Sequence, residues 1–399
     1  MFILKTVQAY HPFREQGGPV VKVRALARAL ARRGHRISVL TADLGIVGRT
    51  DVDIEIKRSR WGWCAEEDGV QAIYLSTLVR YRALTVNLRL MEFCVSSLQA
   101  FDLVHFYGLY DLLGPTVSFY CRRYGIPYVI EPMGMNRPID RSIRAKKLWH
   151  SCMGRRFLHN ATRIIATSEL EQQELLEDGV PPRKIVVRYN GVDPAPDLTG
   201  FRRGSFRIDY GISTNEPLIL FLSRLIPRKG ADVLIQAFAQ ACPESGRLVI
   251  AGPEGEKGYL AYLKKCAIGF GVDNRVIFPG PMYEEQKKAA FVDTDLFVLP
   301  SSYENFANVA AEAIAFGIPV IITPFCGIRS LVDGRAGLVV PLGLDPLVAA
   351  LRRLIEDKSL FQQLKEGCSR VASELNWDRL TQQMEGHYAD VLASKNGTY

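Results

Sequence analysis

The chain has 399 residues, of which 48% are hydrophobic, 10% aromatic and 23% charged. Its length and composition predict a soluble globular protein of two or three domains and exclude a mainly disordered, collagenous or coiled-coil chain. No run approaches the ~20 apolar residues of a membrane span. The eight cysteines are widely spaced and include no C-x-x-C pair, which argues against a disulfide framework or a zinc site.

The net charge of +8 lies entirely in the first half of the chain. Residues 1–200 hold 28 lysines and arginines against 20 acidic residues, whereas residues 201–399 hold 22 of each. This asymmetry predicts an anionic partner for the first half, unless its arginine-rich helices serve only as soluble faces. We do not expect a nucleic acid, because this half has no recognisable nucleic-acid motif and no aromatic stacking platform.

Apolar strand-like runs alternate with longer helical patterns in both halves, which predicts parallel sheets covered by helices. In the first half the predicted strands are 2–8, 36–41, 71–75, 102–106, 127–131, 162–166 and 185–188, and the predicted helices are 19–33, 83–99, 112–123, 141–158 and 168–178. In the second half the predicted strands are 217–222, 247–251, 275–278, 296–299, 319–322 and 337–340, and the predicted helices are 230–241, 257–269, 284–292, 306–316, 344–356, 360–374 and 378–393.

We therefore expect an α/β fold of two Rossmann-like domains, residues 1–195 and 196–377, whose parallel sheets face a central cleft. The segment 190–197, with one glycine and two prolines, is the predicted linker. Helix 378–399 is expected to pack back onto the first domain. Ligands of such sheets bind at the carboxyl ends of the strands, so the loops that follow strands are searched for a site.

The loop after the first predicted strand contains Gly17 and Gly18, followed by Pro19. Glycines let the backbone approach a ligand closely, and the helix that follows has no acidic residue at its start, so its amides are available to an anion. The chain has neither G-x-G-x-x-G after this strand nor G-x-x-x-x-G-K-[ST], so the dinucleotide and P-loop interpretations lack their fingerprints.

The loop after strand 217–222 carries Arg224 and Lys229. A guanidinium fork and an ammonium at the carboxyl end of a strand suit a pyrophosphate, although two solvated loop cations would give the same pattern.

Strand 296–299 is followed by Glu304 and, seven intervening residues later, by Glu312. A helix that starts here places the amides of Phe306, Ala307 and Asn308 where phosphate oxygens would bind. Glu312 is predicted to accept hydrogen bonds from ribose hydroxyls, and Glu304 to reach a sugar. The alternative is one acid favoured by the helix dipole and one solvated acid.

With these motifs the chain resembles the retaining glycosyltransferases of family 4, glycosyl transferases group 1, which have the GT-B fold. The resemblance covers nearly the whole length. It further includes the segments Arg33-Gly34-His35, Asp102-Leu103-Val104-His105, Asn190-Gly191-Val192-Asp193 and Gly317-Ile318-Pro319-Val320, and Trp377.

The resemblance implies that a sugar is transferred, with retention, from a nucleotide-diphosphate sugar to a hydroxyl acceptor. Its implied catalytic residues are Arg224 and Lys229 on the pyrophosphate, Glu304 on the transferred sugar and His105 near the reacting carbon. Its other implied donor-binding residues are Gly17, Gly18, Asn305, Phe306, Ala307, Asn308 and Glu312. Family members generally need no metal, so no cofactor is expected. The nucleotide base, UDP, GDP or another, stays open.

The chain departs from the family pattern at Ser223, Asn305 and Ala307, where glycine is usual. The segment Glu131-Pro132-Met133-Gly134-Met135 resembles a Pro-x-Gly-Met stretch of some polysaccharide-assembly members, which faces the acceptor. It implies acceptor-side roles for Glu131, Met133 and Gly134, and a glycan or lipid-linked acceptor in polysaccharide, lipopolysaccharide or glycolipid assembly. Asp51-Val52-Asp53 and Asp293-Thr294-Asp295 have an acid-x-acid spacing, but we predict no metal site.

Residues 137–156 contain seven lysines and arginines, one acid, Asp140, and Trp149. This pattern predicts a basic amphipathic helix for an anionic membrane or a polyprenyl-diphosphate acceptor, unless Trp149 packs inward on a solvated helix. We expect a cytoplasmic protein, with the inner face of the membrane as its peripheral location. Two other functions stay open: a nucleotide-sugar 2-epimerase, which shares the fold, and a non-catalytic nucleotide-sugar-binding protein.

Overall fold

The computed structural model describes residues 1–13, 17–46, 49, 54–81, 84–138, 142–193, 203–242 and 245–396. The chain divides into two compact units. Unit 1 comprises Met1–Gly191 and Trp377–Tyr399, and unit 2 comprises Val192–Asn376. Residues 194–197 of the predicted linker lie outside the described part of the chain.

Each unit is built on one large sheet. The strands of unit 1 are β1 (Phe2–Val7), β2 (Arg36–Ala42), β3 (Ile56–Ser59), β4 (Gly62–Glu67), β5 (Val70–Leu75), β6 (Val79–Tyr81), β7 (Leu84–Val86), β8 (Leu103–Tyr107), β9 (Tyr128–Glu131), β10 (Arg163–Ala166) and β11 (Ile185–Val187). The strands of unit 2 are β12 (Leu218–Leu222), β13 (Arg247–Ala251), β14 (Val276–Gly280), β15 (Leu296–Leu299), β16 (Val320–Ile322) and β17 (Gly337–Val339).

Helices cover these sheets. They are α1 (Gly18–Arg32), α2 (Leu90–Ser97), α3 (Leu113–Tyr124), α4 (Ile143–Trp149), α5 (Arg155–His159), α6 (Glu169–Glu177), α7 (Ser205–Asp209), α8 (Ala231–Ala241), α9 (Tyr259–Gly269), α10 (Glu284–Asp293), α11 (Asn308–Ala315), α12 (Arg329–Val332), α13 (Leu344–Glu356), α14 (Lys358–Glu374) and α15 (Trp377–Asn396). No helix in the described ranges is both long and apolar enough to span a bilayer.

The sheet of unit 1 has nine strands in the order β11-β10-β9-β8-β1-β2-β5-β4-β3. Its strands are parallel except at one edge, where β4 pairs antiparallel with both β5 and β3. The sheet of unit 2 has six parallel strands in the order β14-β13-β12-β15-β16-β17. Both units are thus Rossmann-like, as the alternation of strands and helices predicted.

Two predicted helices of unit 1 are wrong in part. The prediction of one helix over 83–99 fails because Val79–Tyr81 and Leu84–Val86 pair as the antiparallel strands β6 and β7, and helix α2 begins only at Leu90. Its alternating pattern, in which Arg80 and Thr85 each lie between apolar residues, is the period of a strand. The predicted helix 141–158 is interrupted by a π-helical segment, His150–Gly154, between α4 and α5.

Helix α15 completes the core of unit 1. Its side chains Trp377, Met384, Tyr388 and Val391 are buried among residues of the main sheet and α1. Trp377 lies flat against the backbone of Gly191, where a Cβ atom would come within 2.4 Å of the indole ring. Glycine is therefore required at position 191 by this close approach.

Candidate functional site

The loops after β12 and β15 meet at the point where the strand order of unit 2 reverses. From the adjacent pair β12 and β15, the chain order runs outward to β14 on one side and to β17 on the other. Both strands are parallel, so their following loops lie at the same carboxyl edge. Ligands of open parallel sheets bind at such a reversal.

Lys229 and Glu304 are brought together at this edge. The ammonium of Lys229 contacts Oε1 of Glu304, and the Ser301 hydroxyl donates to the same oxygen at 3.2 Å. Lys229 is nearly buried, and this desolvation lowers its pKa, while the carboxylate of Glu304 opposes the shift. Lys229 and Glu304 therefore form a cation–anion pair that joins the two loops predicted to bind a diphosphate and a sugar.

Close backbone contacts hold the loops after β12 and β15 against each other. Gly230 has φ +72°, and a Cβ atom there would lie 2.5 Å from the carbonyl oxygen of Pro300. The amide of Ser302 donates to the carbonyl of Arg228 at 2.9 Å, and the Arg228 guanidinium donates to the carbonyl of Tyr303 at 2.9 Å. The position of Lys229 against Glu304 is therefore fixed by backbone contacts on both sides.

Arg224 lies on the same loop, one residue after Ser223, and its side chain is exposed. Its guanidinium makes no hydrogen bond or ion pair with the described residues. The loop after β13 presses on the backbone here, since a Cβ atom at Gly252 would lie 1.8 Å from the carbonyl oxygen of Ser223. Arg224 is thus a cation on a tightly packed loop, with its charge open to an anionic ligand.

The segment from Glu304 to Asn308 leads into α11. Glu304 is held by its backbone, whose amide donates to the carbonyl of Phe325 at 2.9 Å and whose carbonyl accepts from Gly327 at 3.0 Å. Phe306 is buried and Asn305 is half-buried. Ala307 has φ +76° and precedes α11, which starts at Asn308 with no side-chain cap and no acidic residue in its first turn. An uncapped helix start favours an anion.

Glu312 lies on α11 with a partner that the sequence analysis did not name. Its half-buried carboxylate contacts the ammonium of Lys287 on α10. Ala311 and Ala313, on either side of Glu312, are buried, so the helix does turn this carboxylate away from its apolar face. A ligand hydroxyl at this position would share Glu312 with Lys287.

In unit 1, Gly17 and Gly18 lie exposed at the start of α1. Gly17 has φ +91°, and no atom lies within 4 Å of the position that a Cβ atom would take. The helix has no side-chain cap and no acidic residue in its first turn. This helix start therefore has no side-chain cap, and the predicted binding of an anion there stays a prediction. The preceding residues 14–16 lie outside the described chain.

His105 does not lie at a surface. It is fully buried on β8, where its Nδ1 atom is 2.6 Å from the hydroxyl of Tyr388 and 3.1 Å from that of Tyr107. Burial, with the nearby positive charges of Lys5 and Arg188, lowers the pKa of His105 well below its ordinary value. The structure thus places His105 in the core of unit 1, and its expected position beside a sugar stays a prediction.

Glu131 is also buried, at the end of β9. Its carboxylate contacts the ammonium of Lys22 on α1 and lies 3.1 Å from the guanidinium of Arg188, which follows β11. In the structure Glu131 is the carboxylate shared by Lys22 and Arg188, and its expected acceptor-side role stays a prediction. Neither Lys22 nor Arg188 was predicted from the sequence to contact Glu131. A lysine among the apolar residues of α1 was the available signal.

Met133 and Gly134, the next predicted acceptor-side residues, lie just after β9. Met133 is half-buried with φ +54°, and the amide of Gly134 donates to Oε1 of Glu171 at 2.5 Å.

In the predicted basic helix, Trp149 turns inward and its indole donates to the carbonyl of Leu109 at 2.8 Å. Asp140 and Arg141 lie outside the described part of the chain.

The parts of the chain that the structure describes contain no cluster of three or more histidine, cysteine, aspartate or glutamate side chains arranged to hold a metal ion. Asp293 and Asp295 instead serve unit 2 itself. Asp293 accepts from the amide of Gly204 at 2.5 Å, and Asp295 accepts from the guanidinium of Arg207 at 2.7 Å. Asp51, Val52 and Asp53 are outside the described residues.

Comparison with known proteins agrees with this architecture. Residues 203–370 match the family described as glycosyl transferases group 1, and residues 17–191 match the glycosyl transferase 4-like domain. The chain is 24% identical over 390 residues to an uncharacterized glycosyltransferase of Methanocaldococcus jannaschii, with 95% of each chain covered. It is 28% identical over 410 residues to a D-inositol 3-phosphate glycosyltransferase of Xylanimonas cellulosilytica, with 94% of this chain and 92% of the relative covered.

Among solved structures, the chain is similar to HepE of Anabaena in complex with UDP and glucose. The TM-score is 0.72 at 20% identity, with 98% of this chain and 100% of the other covered. At this identity the likeness concerns the fold, which is the GT-B arrangement of two Rossmann-like units. The chain therefore belongs to family 4, the group 1 glycosyltransferases.

Proposed function

We propose that this glycosyltransferase moves a sugar, with retention of configuration, from a nucleotide-diphosphate sugar to a hydroxyl of a glycan or lipid-linked acceptor. The observation that carries the proposal is the contact of Lys229 with Glu304 where the strand order of unit 2 reverses. Exposed Arg224 lies on the same loop as Lys229. A cation pair for the diphosphate and a carboxylate for the sugar thus share one edge of the sheet.

In the proposed mechanism, Arg224 and Lys229 bind the diphosphate and stabilise the negative charge that develops as it leaves. Glu304 accepts hydrogen bonds from hydroxyls of the transferred sugar, and Lys229 fixes the orientation of that carboxylate. Retention requires the acceptor hydroxyl to enter on the face from which the diphosphate departs. A phosphate oxygen then takes the proton of the incoming hydroxyl. The uncapped start of α11 adds amide donors for phosphate oxygens.

The same groups support the proposal that transfer needs no metal. The charge of a diphosphate is otherwise neutralised by a divalent cation, and here Arg224 and Lys229 supply positive charge directly. Glu312 is proposed to hold the ribose, sharing its carboxylate with Lys287. UDP is the first base to test, because HepE of Anabaena, similar in fold, was solved with UDP and glucose.

A thermal-shift panel tests the donor site. UDP, GDP, ADP, dTDP and their common sugar conjugates are each added with and without EDTA. A ligand at about 100 times its Kd adds roughly 2.7 kcal/mol to the free energy of unfolding. We expect one nucleotide class to raise the melting temperature, EDTA to leave the shift unchanged, and Lys229→Ala to abolish it. Lys365→Ala, an exposed lysine on α14, is the matched control and should keep the shift.

Product analysis separates the proposed reaction from its alternatives. NMR of the reaction mixture should show the anomeric configuration of the donor conserved in a new glycosidic bond. An epimerase would change the donor alone, and a binding protein would change nothing. A panel without any nucleotide shift, or a shift that requires a divalent cation, would contradict the proposed site.

We further propose that the protein works at the inner face of a membrane, where lipid-linked acceptors reside. Support comes from the charge of residues 1–200 and from exposed apolar side chains in unit 1. On α4, Ile143 and Leu148 are exposed beside the cations Arg144 and Lys147. Anionic lipid attracts such basic and apolar surfaces.

A further inference from the structure

The hairpin β6–β7 of unit 1 lies outside the nine-stranded sheet and forms a two-stranded sheet of its own. Its strands pair Val79 with Val86 and Tyr81 with Leu84. Residues directly opposite each other in an antiparallel pair share a face, and so do residues two apart on a strand. All four of these apolar residues therefore lie on one face of the hairpin.

That apolar face points outward. The exposed fractions of Val79, Tyr81 and Val86 are 56%, 66% and 43%. The opposite face carries Thr85, which is 1% exposed and accepts a hydrogen bond from the Gln8 side chain at 3.1 Å. A hairpin in water normally buries its apolar face and exposes its polar face. Here three apolar side chains face outward while Thr85 is buried, and an exposed apolar patch is typical of an interaction surface.

Exposed apolar side chains continue along the chain from the hairpin into α2. Met91 and Val95 are one turn apart on this helix and exposed, whereas Phe93 and Cys94 between them are buried. Leu88, just before the helix, is also exposed. We define the hairpin surface as the exposed apolar residues of β6, β7, the start of α2 and the positions next to these elements: Leu78, Val79, Tyr81, Val86, Leu88 and Met91.

The charge of this segment selects an anionic partner. From Gly69 to Met91 the sequence contains three arginines, Arg80, Arg82 and Arg89, and no acidic residue. Arg89 is exposed just before α2, and Arg80, which lies on the same face of the hairpin as Thr85, is exposed as well. Aliphatic residues, a tyrosine and arginines together match the boundary between lipid tails and phosphate headgroups. An acidic protein would complement the arginines but would not by itself account for the extended apolar face.

We propose that the hairpin surface attaches this protein to an anionic membrane by inserting its apolar face at the lipid–water interface. The assignment rests on the proposed membrane location, and not on the identity of the donor. It places the main contact on the hairpin surface. The exposed face of α4 is the smaller candidate, because in the predicted basic helix Trp149 packs inward, and Arg137 and Arg155 lie within 3.8 Å and 3.6 Å of Glu174 and Asp178.

Co-sedimentation of the full chain with vesicles tests this proposal. One set of vesicles is phosphatidylcholine, and the other contains about one third phosphatidylglycerol, each at low and high salt. The test variant combines Val79→Ser, Tyr81→Ser and Val86→Ser. A matched control carries Ile208→Ser, Tyr262→Ser and Ile268→Ser, three exposed apolar residues of unit 2. A third variant, Ile143→Ser with Leu148→Ser, examines α4.

We expect the wild type to pellet with anionic vesicles at low salt and not with phosphatidylcholine alone. The hairpin variant should partition at least about tenfold less, and the unit 2 control should stay within about twofold of the wild type. Circular dichroism melting of each variant checks its folding. If the triple variant does not fold, Tyr81→Ser and Leu88→Gln as single substitutions carry the same test.

Three results would overturn the proposal. The first is a wild type that does not pellet with either vesicle. The second is loss of binding in the α4 variant with binding retained by the hairpin variant. The third is light scattering that shows the wild type as a dimer and the hairpin variant as a monomer, since the hairpin surface would then contact a second copy. The nucleotide shift is measured on the same variants, so a failed membrane contact is distinguished from a failed donor site.

Discussion

The ammonium of Lys229 contacts the carboxylate of Glu304, although 75 residues separate them along the chain. Each follows its own strand, and the adjacency of β12 and β15 brings the two loops together. Both side chains are largely shielded from water, which strengthens their interaction relative to an exposed pair. The proposed catalytic unit is thus a pair whose members depend on each other.

A double-mutant cycle of Lys229→Met and Glu304→Gln measures that dependence. Each single substitution should lower kcat/KM by on the order of 100-fold to 1,000-fold, since each removes a group from the transition state. The fold-decrease in kcat/KM of the double variant should be smaller than the product of the two single fold-decreases, because each side chain orients the other. Lys365→Met serves as the control. Fully multiplicative effects would show that the pair does not act as a unit.

Arg224→Ala should reduce kcat/KM by on the order of 100-fold while the melting temperature stays unchanged. The side chain is exposed and makes no ion pair with the described residues, so its loss costs the fold little. Arg224→Lys should recover only part of the activity, because an ammonium lacks the bidentate fork. Arg353→Ala, exposed on α13, provides the comparison. Wild-type rates in Arg224→Ala would remove this residue from the site.

Gly230→Ala should destabilise the protein by about 3 kcal/mol, from left-handed strain together with the collision with Pro300. Gly317→Ala is the matched control. Its φ of +75° imposes similar strain, but no atom lies within 4 Å of the new Cβ atom, so about 1 kcal/mol is expected. Urea unfolding followed by circular dichroism gives both values. Equal losses would mean that the loops separate easily at Gly230.

Glu131→Gln should lower the free energy of unfolding by about 3 to 5 kcal/mol, because buried Lys22 and Arg188 lose their shared carboxylate. Glu92→Gln breaks the exposed pair with Arg60 and should cost at most about 1 kcal/mol. Chemical denaturation compares the two. If Glu131→Gln kept its stability and lost only acceptor-dependent activity, this result would support the acceptor-side role implied by the resemblance.

Asp111 should make the stability of the protein depend on pH. Burial raises the pKa of this carboxyl to about 6, against the opposing hydrogen bonds from the amides of Gly114 and Leu113. The folded state therefore binds more protons than the unfolded state between pH ~4 and ~6. Its contribution to stability is complete below pH ~4 and is lost as the pH rises through about 6.

The variant Asp111→Asn isolates this effect, because its amide oxygen still accepts from Gly114 but does not titrate. The wild type should lose up to about 3 kcal/mol relative to Asp111→Asn between pH ~4 and ~7. Melting temperatures of both proteins across this range give the comparison. A constant difference between them would show that the carboxyl titrates at its ordinary pKa.

The fold of unit 2 was predictable because its strands are short apolar runs separated by amphipathic helices. Each predicted strand of this half overlaps an observed one. The loops after 217–222 and 296–299 follow two strands that are neighbours in the sheet. The hairpin β6–β7 was missed because its strands have only three residues each, so their alternating pattern is short beside the helical pattern that follows. Its inverted orientation arises from tertiary contacts of Thr85 and Asn87.

The site was predictable where it follows from strand ends, and not where it depends on distant partners. Lys229 and Glu304 could be placed at one edge, but the contact of Glu312 with Lys287 needed the packing of α10 on α11. His105 shows the same limit. Its motif predicts a substrate contact but not its hydrogen-bond partner Tyr388, which lies 283 residues further along the chain.

The return of α15 to unit 1 bears on the order in which the protein folds during synthesis. Unit 2 is one continuous stretch of chain and has all its strands once residue 339 has left the ribosome. Unit 1 emerges first, yet it lacks the side chains of Trp377, Met384 and Tyr388 until the last helix appears. The nascent amino-terminal unit therefore exposes part of its apolar core throughout the translation of unit 2, a period in which a chaperone would find its binding surface.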